Sequence, residues 1–128
     1  MTASRSQALL EARALCGWYG AAQVLFDVDL QVQRGQVVAL MGRNGAGKST
    51  LLLTMAGLLK PGQGKICDRG TPIDSNSSRS EVRRSVSVVF QDPLLLNTTV
   101  YKNVALGLKF RQLTLTEIAR SVEESLDY

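Results

Sequence analysis

Between Gly42 and Thr50 the chain reads Gly-Arg-Asn-Gly-Ala-Gly-Lys-Ser-Thr, and no other stretch constrains the fold as strongly. It contains the spacing Gly-x-x-x-x-Gly-Lys-Ser, the P-loop or Walker A pattern. On average residue usage, a chain this short shows it by chance about once in a few hundred sequences. The chemistry explains the residue types. Phosphate oxygens need several N–H donors converging on one point, and glycines let the backbone curl that tightly. The first turn of a following helix adds unpaired N–H groups and the positive end of its dipole. Lys48 is placed to reach β and γ phosphates, and Ser49 offers a hydroxyl to Mg²⁺. The stretch Gly42, Arg43, Asn44, Gly45, Ala46, Gly47, Lys48, Ser49 and Thr50 is therefore the candidate nucleotide-phosphate loop. Arg43 occupies a variable position of the pattern, where an exposed guanidinium is expected.

The flanks fit this mechanism. Gln36–Met41 is a short apolar run, as expected for a strand buried on both faces. Leu51–Leu59 is apolar nearly all round and predicts a buried helix. Upstream, Met1–Ala8 is polar and predicts a frayed end, and Leu9–Leu15 predicts a short strand. Gly17-Trp18-Tyr19-Gly20 predicts a Gly-bounded aromatic turn. From Val24 the pattern alternates, with Val24, Phe26, Val28, Leu30 and Val32 on one face and Leu25, Asp27, Asp29 and Gln31 on the wet one. Asp27 and Asp29 then read as surface carboxylates rather than metal ligands. Downstream, Lys65–Cys67 predicts an edge strand, Asp68–Ser80 a loop, Ser80–Arg84 one helical turn and Ser85–Phe90 a β-branched strand. Thr99–Arg111 predicts a helix, and Thr114 with Glu117 matches a capping box before a last helix.

Composition removes other classes of function. The chain has 128 residues, 45% apolar and 20% charged, which is one domain or part of one and excludes disordered and low-complexity classes. Its net charge of +4 is scattered, so it predicts a solvated surface and no nucleic-acid partner. Cys16 and Cys67 form no C-x-x-C pair and there is no histidine, which removes thiolate zinc sites, His triads and His general bases. No apolar stretch reaches membrane-spanning length. Arg5, Glu11 and Arg13 interrupt any leader-like core, so a cytoplasmic location is the expectation.

Beyond the loop itself, the surroundings resemble ATP-binding cassette (ABC) transporter subunits. The resemblance runs through Leu30–Gly35, Gly42–Leu52, Gly57-Leu58-Leu59-Lys60-Pro61 with Gly64, Ile66 and Gly70, then Val88-Val89-Phe90-Gln91, then Thr99-Val100 with Asn103-Val104. It implies an α/β P-loop NTPase of the ABC-ATPase type, with an N-terminal antiparallel β subdomain and the start of a helical subdomain. It implies ATP and Mg²⁺ as cofactors. Tyr19 stands 29 residues before Lys48, where the family places an aromatic ring that stacks on adenine. Trp18 is the rival for that role and is expected to pack against the sheet. Gln91 matches the family's Q-loop glutamine, whose carbonyl ligates Mg²⁺, senses the γ-phosphate and couples to the membrane partner. Lys48 and Gln91 are thus the residues the resemblance implicates in turnover.

The family's later motifs are not present among these residues. There is no Gly-Gly dipeptide for a signature segment, no apolar run ending in Asp-Glu for Walker B, and no switch histidine. The expectation is that residues 1–128 form a partial nucleotide-binding domain. Without later strands to cover it, Gln36–Met41 would be exposed and the chain alone prone to aggregate. The implied function is the ATP-binding subunit of an ABC transporter, peripheral at the inner face of the membrane. Its partners would be a transmembrane permease subunit and a second ATP-binding subunit in a dimer. Two alternatives stand beside it: a nucleotide-binding module that does not hydrolyse, and a soluble cassette ATPase of DNA repair or translation. A GTPase is disfavoured because no Asn-Lys-x-Asp motif is present.

Overall fold

The computed structural model describes residues 8–127. The expected polar lead Met1–Ala8 lies outside them but for its last residue. The chain divides between Val88 and Val89 into two compact units.

The first unit is built on an antiparallel sheet. Its elements in chain order are β1 (Leu10–Tyr19), β2 (Ala22–Val32), α1 (Lys48–Met55), β3 (Gln63–Asp68), β4 (Thr71–Pro72) and α2 (Asn76–Ser85). The strand order is β2-β1-β3-β4. Lys65–Cys67 therefore belongs to an interior strand, not an edge, because β4 pairs with its outer side. The first strand is also longer than its apolar run suggests. Gly17, Trp18 and Tyr19 lie within β1, and the hairpin turns at Gly20-Ala21.

Three register shifts interrupt the β1–β2 ladder, and they correct the alternation expected for β2. Leu25 is buried and Phe26 is exposed, the reverse of the expected faces. The cause is a bulge at Asp27, which has φ 46. One extra residue changes the phase of a period-two pattern, so Val28, Leu30 and Val32 return to the core after it. Side chains stabilise both distortions. The Asp27 N–H donates to the Cys16 sulfur (3.5 Å), and the Cys16 thiol donates to Asp27 Oδ1 (3.6 Å). The Ala14 N–H, at a second bulge on β1, donates to Asp29 Oδ1 (2.8 Å). The two carboxylates are thus structural, consistent with their reading as surface groups.

The core of this unit joins Ala12, Leu15, Leu25 and Ile66 of the sheet to Leu51 and Met55 of α1, Ile73, and Val82 of α2. Burying each large apolar side chain contributes about 1.5–3 kcal/mol. On the sheet, the Glu11 carboxylate accepts from Arg13 Nη2 (2.6 Å) and Gln31 Nε2 (2.7 Å), bridging β1 and β2. Those two donors hold its carboxyl below the usual glutamate range, the Arg13 bond being the larger cause. Cys16 on β1 and Cys67 on β3 are both buried and form no disulfide.

Several expectations are corrected here. α1 ends at Met55 and buries one side only, through Leu51, Thr54 and Met55, while Leu52 is exposed. α2 contains the expected helical turn at Ser80–Arg84 but starts earlier, taking the last five residues of the expected Asp68–Ser80 loop. Its start is fixed by a capping box between Ser75 and Ser78, a pairing of two serines that loop-like composition conceals. Gln36–Met41 is not a strand: Val37 is 94% and Met41 92% exposed. Ser85–Phe90 is likewise irregular beyond the end of α2, with Val89 exposed. Both runs have strand composition, but a strand exists only by pairing, and none of the described strands pairs with either. The exposure expected for Gln36–Met41 is present.

The second unit contains α3 (Val100–Lys109) and α4 (Leu115–Leu126), which pack around Ala105, Ile118 and Val122. Thr99 caps α3 by accepting from the Lys102 N–H (3.2 Å). The Asn103 side chain ties the preceding turn, accepting from the Leu96 N–H (2.8 Å) and donating to the Leu96 and Thr99 carbonyls. The expected capping box of α4 is formed. Thr114 Oγ1 accepts from the Glu117 N–H, and the Glu117 carboxylate accepts from the Thr114 N–H (2.8 Å). None of the described helices is long and apolar enough to cross a membrane.

Candidate functional site

The loop between the sheet and α1 begins at Gly42 and enters the helix at Lys48. Its curvature comes from Gly45 (φ 85) and Gly47 (φ 94), conformations that side-chain-bearing residues rarely adopt. The turn closes through the Ala46 N–H, which donates to the Arg43 carbonyl (3.1 Å). Gly47 is the N-cap of α1. No side chain caps that helix end, and no acidic residue stands in its first turn. Among the described residues, the amides at the start of the helix and the dipole behind them therefore meet no acidic side chain in the first turn.

Lys48 is the first residue of α1, and its side chain folds back over the loop. The ammonium donates to the carbonyls of Gly42 (2.6 Å) and Arg43 (2.8 Å). The cation is thus held across the mouth of the curl, beside the helix start, instead of extending into water. Arg43, Asn44, Gly45, Ala46 and Ser49 are exposed, so a ligand that draws the ammonium off its two carbonyls can reach the loop, and the Ser49 hydroxyl is accessible. Thr50 is half-buried, and its carbonyl accepts from Thr54 Oγ1 (2.7 Å).

The loop is seated against β2. A Cβ added to Gly47 would lie 2.7 Å from the Val24 carbonyl oxygen and 2.9 Å from Leu25 Cδ2. A methyl group cannot occupy that space. Sequence reasoning missed this contact because it joins residues more than twenty positions apart, although the glycine itself was a signal of close approach.

Of the residues singled out in the sequence, the loop and Tyr19 all fall within the first unit. Tyr19 ends β1 beside the hairpin turn and is 79% exposed, so a flat ring is presented to solvent. Trp18 instead lies against Gly62, leaving no room there for a Cβ. Gln91 belongs to the second unit, in an exposed bend at Gln91-Asp92.

The donor set can be tested against a phosphate and its metal. Backbone amides, one ammonium and an open curl fit a polyanion. Among the described residues no group of three or more His, Cys, Asp or Glu could hold a metal ion by itself. A single exposed hydroxyl at Ser49 fits an ion that takes most of its ligands from phosphate oxygens and water, as Mg²⁺ does.

Comparison with known proteins identifies the family and the fold. The family described as ABC transporter matches residues 25–127. The sulfate/thiosulfate import ATP-binding protein CysA of Synechococcus elongatus is 42% identical over 110 residues, 85% of this chain and 31% of that protein. An ABC transporter ATP-binding protein assigned in Streptomyces avermitilis is 43% identical over 107 residues, 82% of this chain and 40% of its own length. Among solved structures, CbiO1 of Clostridium perfringens, described as part of the ABC transporter complex CbiONQ, superposes with a TM-score of 0.79 at 35% identity. That match covers 94% of this chain and 49% of CbiO1. The chain thus spans less than half the length of these relatives. An α/β fold of the ABC-ATPase type, its antiparallel β subdomain and the P-loop pattern all occur here, and the chain belongs to the ABC transporter family of ATP-binding proteins.

Proposed function

We propose that this chain supplies the nucleotide-holding face of an ABC transporter ATP-binding subunit, in which Mg-ATP binding and hydrolysis drive a membrane permease. The observation that carries the reading is the Gly42–Thr50 loop, closed by Lys48 and set at an uncapped helix start. In this reading the amides of Gly42–Thr50 bind the phosphates, and Lys48 shifts its ammonium from two carbonyls to phosphate oxygens. Charge-assisted hydrogen bonds of that kind are the strong ones. Mg²⁺ would be held by the Ser49 hydroxyl and would neutralise charge on the phosphates. The resemblance adds Gln91 to the metal and coupling roles, and Tyr19 to the adenine.

Residues 1–128 then form part of a nucleotide-binding domain: the P-loop portion and the start of a helical subdomain. A permease and a second ATP-binding subunit would complete the assembly at the cytoplasmic side of the membrane. The assembly described for CbiO1 supports partners of that kind. A water-positioning carboxylate is not among the loop residues, so these residues alone are expected to bind nucleotide with negligible turnover.

The test is titration of the chain with a fluorescent ATP analogue and Mg²⁺, followed by a phosphate-release assay on the same samples. Saturable binding that Lys48→Ala weakens at least about tenfold is expected, the worth of one strong charged hydrogen bond. Equal affinity in Lys48→Ala refutes the assignment of the loop.

A further inference from the structure

Leu25 on β2 lies between two glycines that come from different parts of the proposed site. It is 4% exposed. A Cβ on Gly17 of β1 would sit 2.9 Å from Leu25 Cδ1, and a Cβ on Gly47 of the loop would sit 2.9 Å from Leu25 Cδ2. Each δ-methyl therefore fills a notch that exists only because the facing residue is glycine. Gly17 stands two residues before Tyr19 on the same strand, and its partner across the ladder is Leu25 itself. Gly47 is the N-cap of α1, and Lys48 follows it directly. One side chain thus separates the strand that ends in the exposed tyrosine from the loop that carries the ammonium.

We propose that Leu25 is a positioning residue for nucleotide binding, holding the phosphate loop in its place against the Tyr19-bearing strand through its seats on Gly17 and Gly47. The inference rests on the nucleotide reading of the Gly42–Thr50 loop. A ligand with a base at one end and phosphates at the other binds best when both receiving surfaces are already at the right separation. Close-packed interiors transmit displacement, because little empty space is available to absorb it. A push on Cδ1 from the Gly17 side is therefore passed to Gly47. Leu25 belongs to β2, so the push drives Gly47 away from the sheet, and the amides at the start of α1 move with it.

The test uses inorganic tripolyphosphate, which can engage the phosphate loop and has no base. Gly17 has no left-handed backbone to strain, so Gly17→Ala is a clean way to displace the leucine. By calorimetric titration of the full chain, Gly17→Ala is expected to weaken tripolyphosphate about three- to tenfold, at unchanged circular dichroism. In a Leu25→Val background, where the displaced methyl is gone, the same change at Gly17 is expected to matter less than about twofold. A Gly17→Ala chain that binds as wild type, or an equal loss in both backgrounds, makes Leu25 a core filler only and overturns the proposal. If Gly17→Ala does not fold, Leu25→Val alone decides: the proposal requires weakened tripolyphosphate with the fold intact, and unchanged affinity overturns it. A wild-type chain that binds neither ATP nor tripolyphosphate refutes the nucleotide reading itself, a result distinct from loss of the coupling.

Discussion

Gly45 and Gly47 stand two residues apart in the same loop, and replacing each by alanine isolates the contact between loop and sheet. Both have left-handed backbones, φ 85 and φ 94. An L-residue in that region costs about 1–2 kcal/mol. At Gly45 the added methyl meets no atom within 4 Å, so strain is the whole cost. At Gly47 the methyl meets the Val24 carbonyl oxygen at 2.7 Å and Leu25 Cδ2 at 2.9 Å. The first is sheet backbone and cannot swing aside, so overpacking adds about 1–3 kcal/mol. Any gain from a stiffer unfolded chain applies equally to both and cancels in the difference. Gly47→Ala should therefore destabilise by about 2–5 kcal/mol and Gly45→Ala by about 1–2 kcal/mol. Urea denaturation followed by Trp18 fluorescence and far-UV circular dichroism measures both, with equal slopes required for the comparison. Equal midpoints for the two variants would show that the loop is not seated on β2.

Other outcomes follow from single residues. Tyr19→Ala should weaken ATP about three- to tenfold, the size of a ring-stacking contribution, while Tyr19→Phe keeps affinity and neither moves the urea midpoint. Glu11 is held below the usual glutamate range by Arg13 and Gln31, so the unfolded chain takes up its proton first as pH falls. Its stabilisation is complete above the ordinary value of about 4.3 and is lost as pH drops through the folded value. Acid titrations should accordingly show a shallower loss of stability below about pH 5 in Glu11→Gln than in wild type. Thr114→Ala removes the acceptor of the α4 capping box and should cost about 1 kcal/mol, with Thr114→Ser restoring it; helix content in urea reports both.

What was legible in the sequence is what local chemistry determines. The curl of the Gly42–Thr50 loop and the helix start at Lys48 were readable because the pattern sets its glycines and Lys48 at fixed spacing. The Thr114–Glu117 box was readable for the same reason, since both reciprocal bonds lie within four residues. Leu25 and Phe26 changed faces because a bulge shifts the phase of a strand, and Asp27 gives no sign of one in a period-two pattern. The helical turn at Ser80–Arg84 was legible, but the start of the helix Asn76–Ser85 was hidden by serines that are in fact its cap. Gln36–Met41 and Ser85–Phe90 misled most plainly. Their β-branched content states what they would do beside a partner strand, and pairing is a property of the whole fold.

Cys16 and Cys67 turn the sheet into its own stopwatch. A thiol reacts only when a reagent can reach it, so a buried cysteine is labelled at a rate set by how often its surroundings open. The two sulfurs sit on different strands: Cys16 faces the Asp27 bulge near the hairpin, and Cys67 lies on the interior strand opposite Glu11 and Pro72. A disulfide reagent therefore yields two clocks from one unmodified molecule. A ligand that clamps the hairpin against the phosphate loop would slow the Cys16 clock more than the Cys67 clock. A ligand that stabilised the unit as a whole would slow both alike.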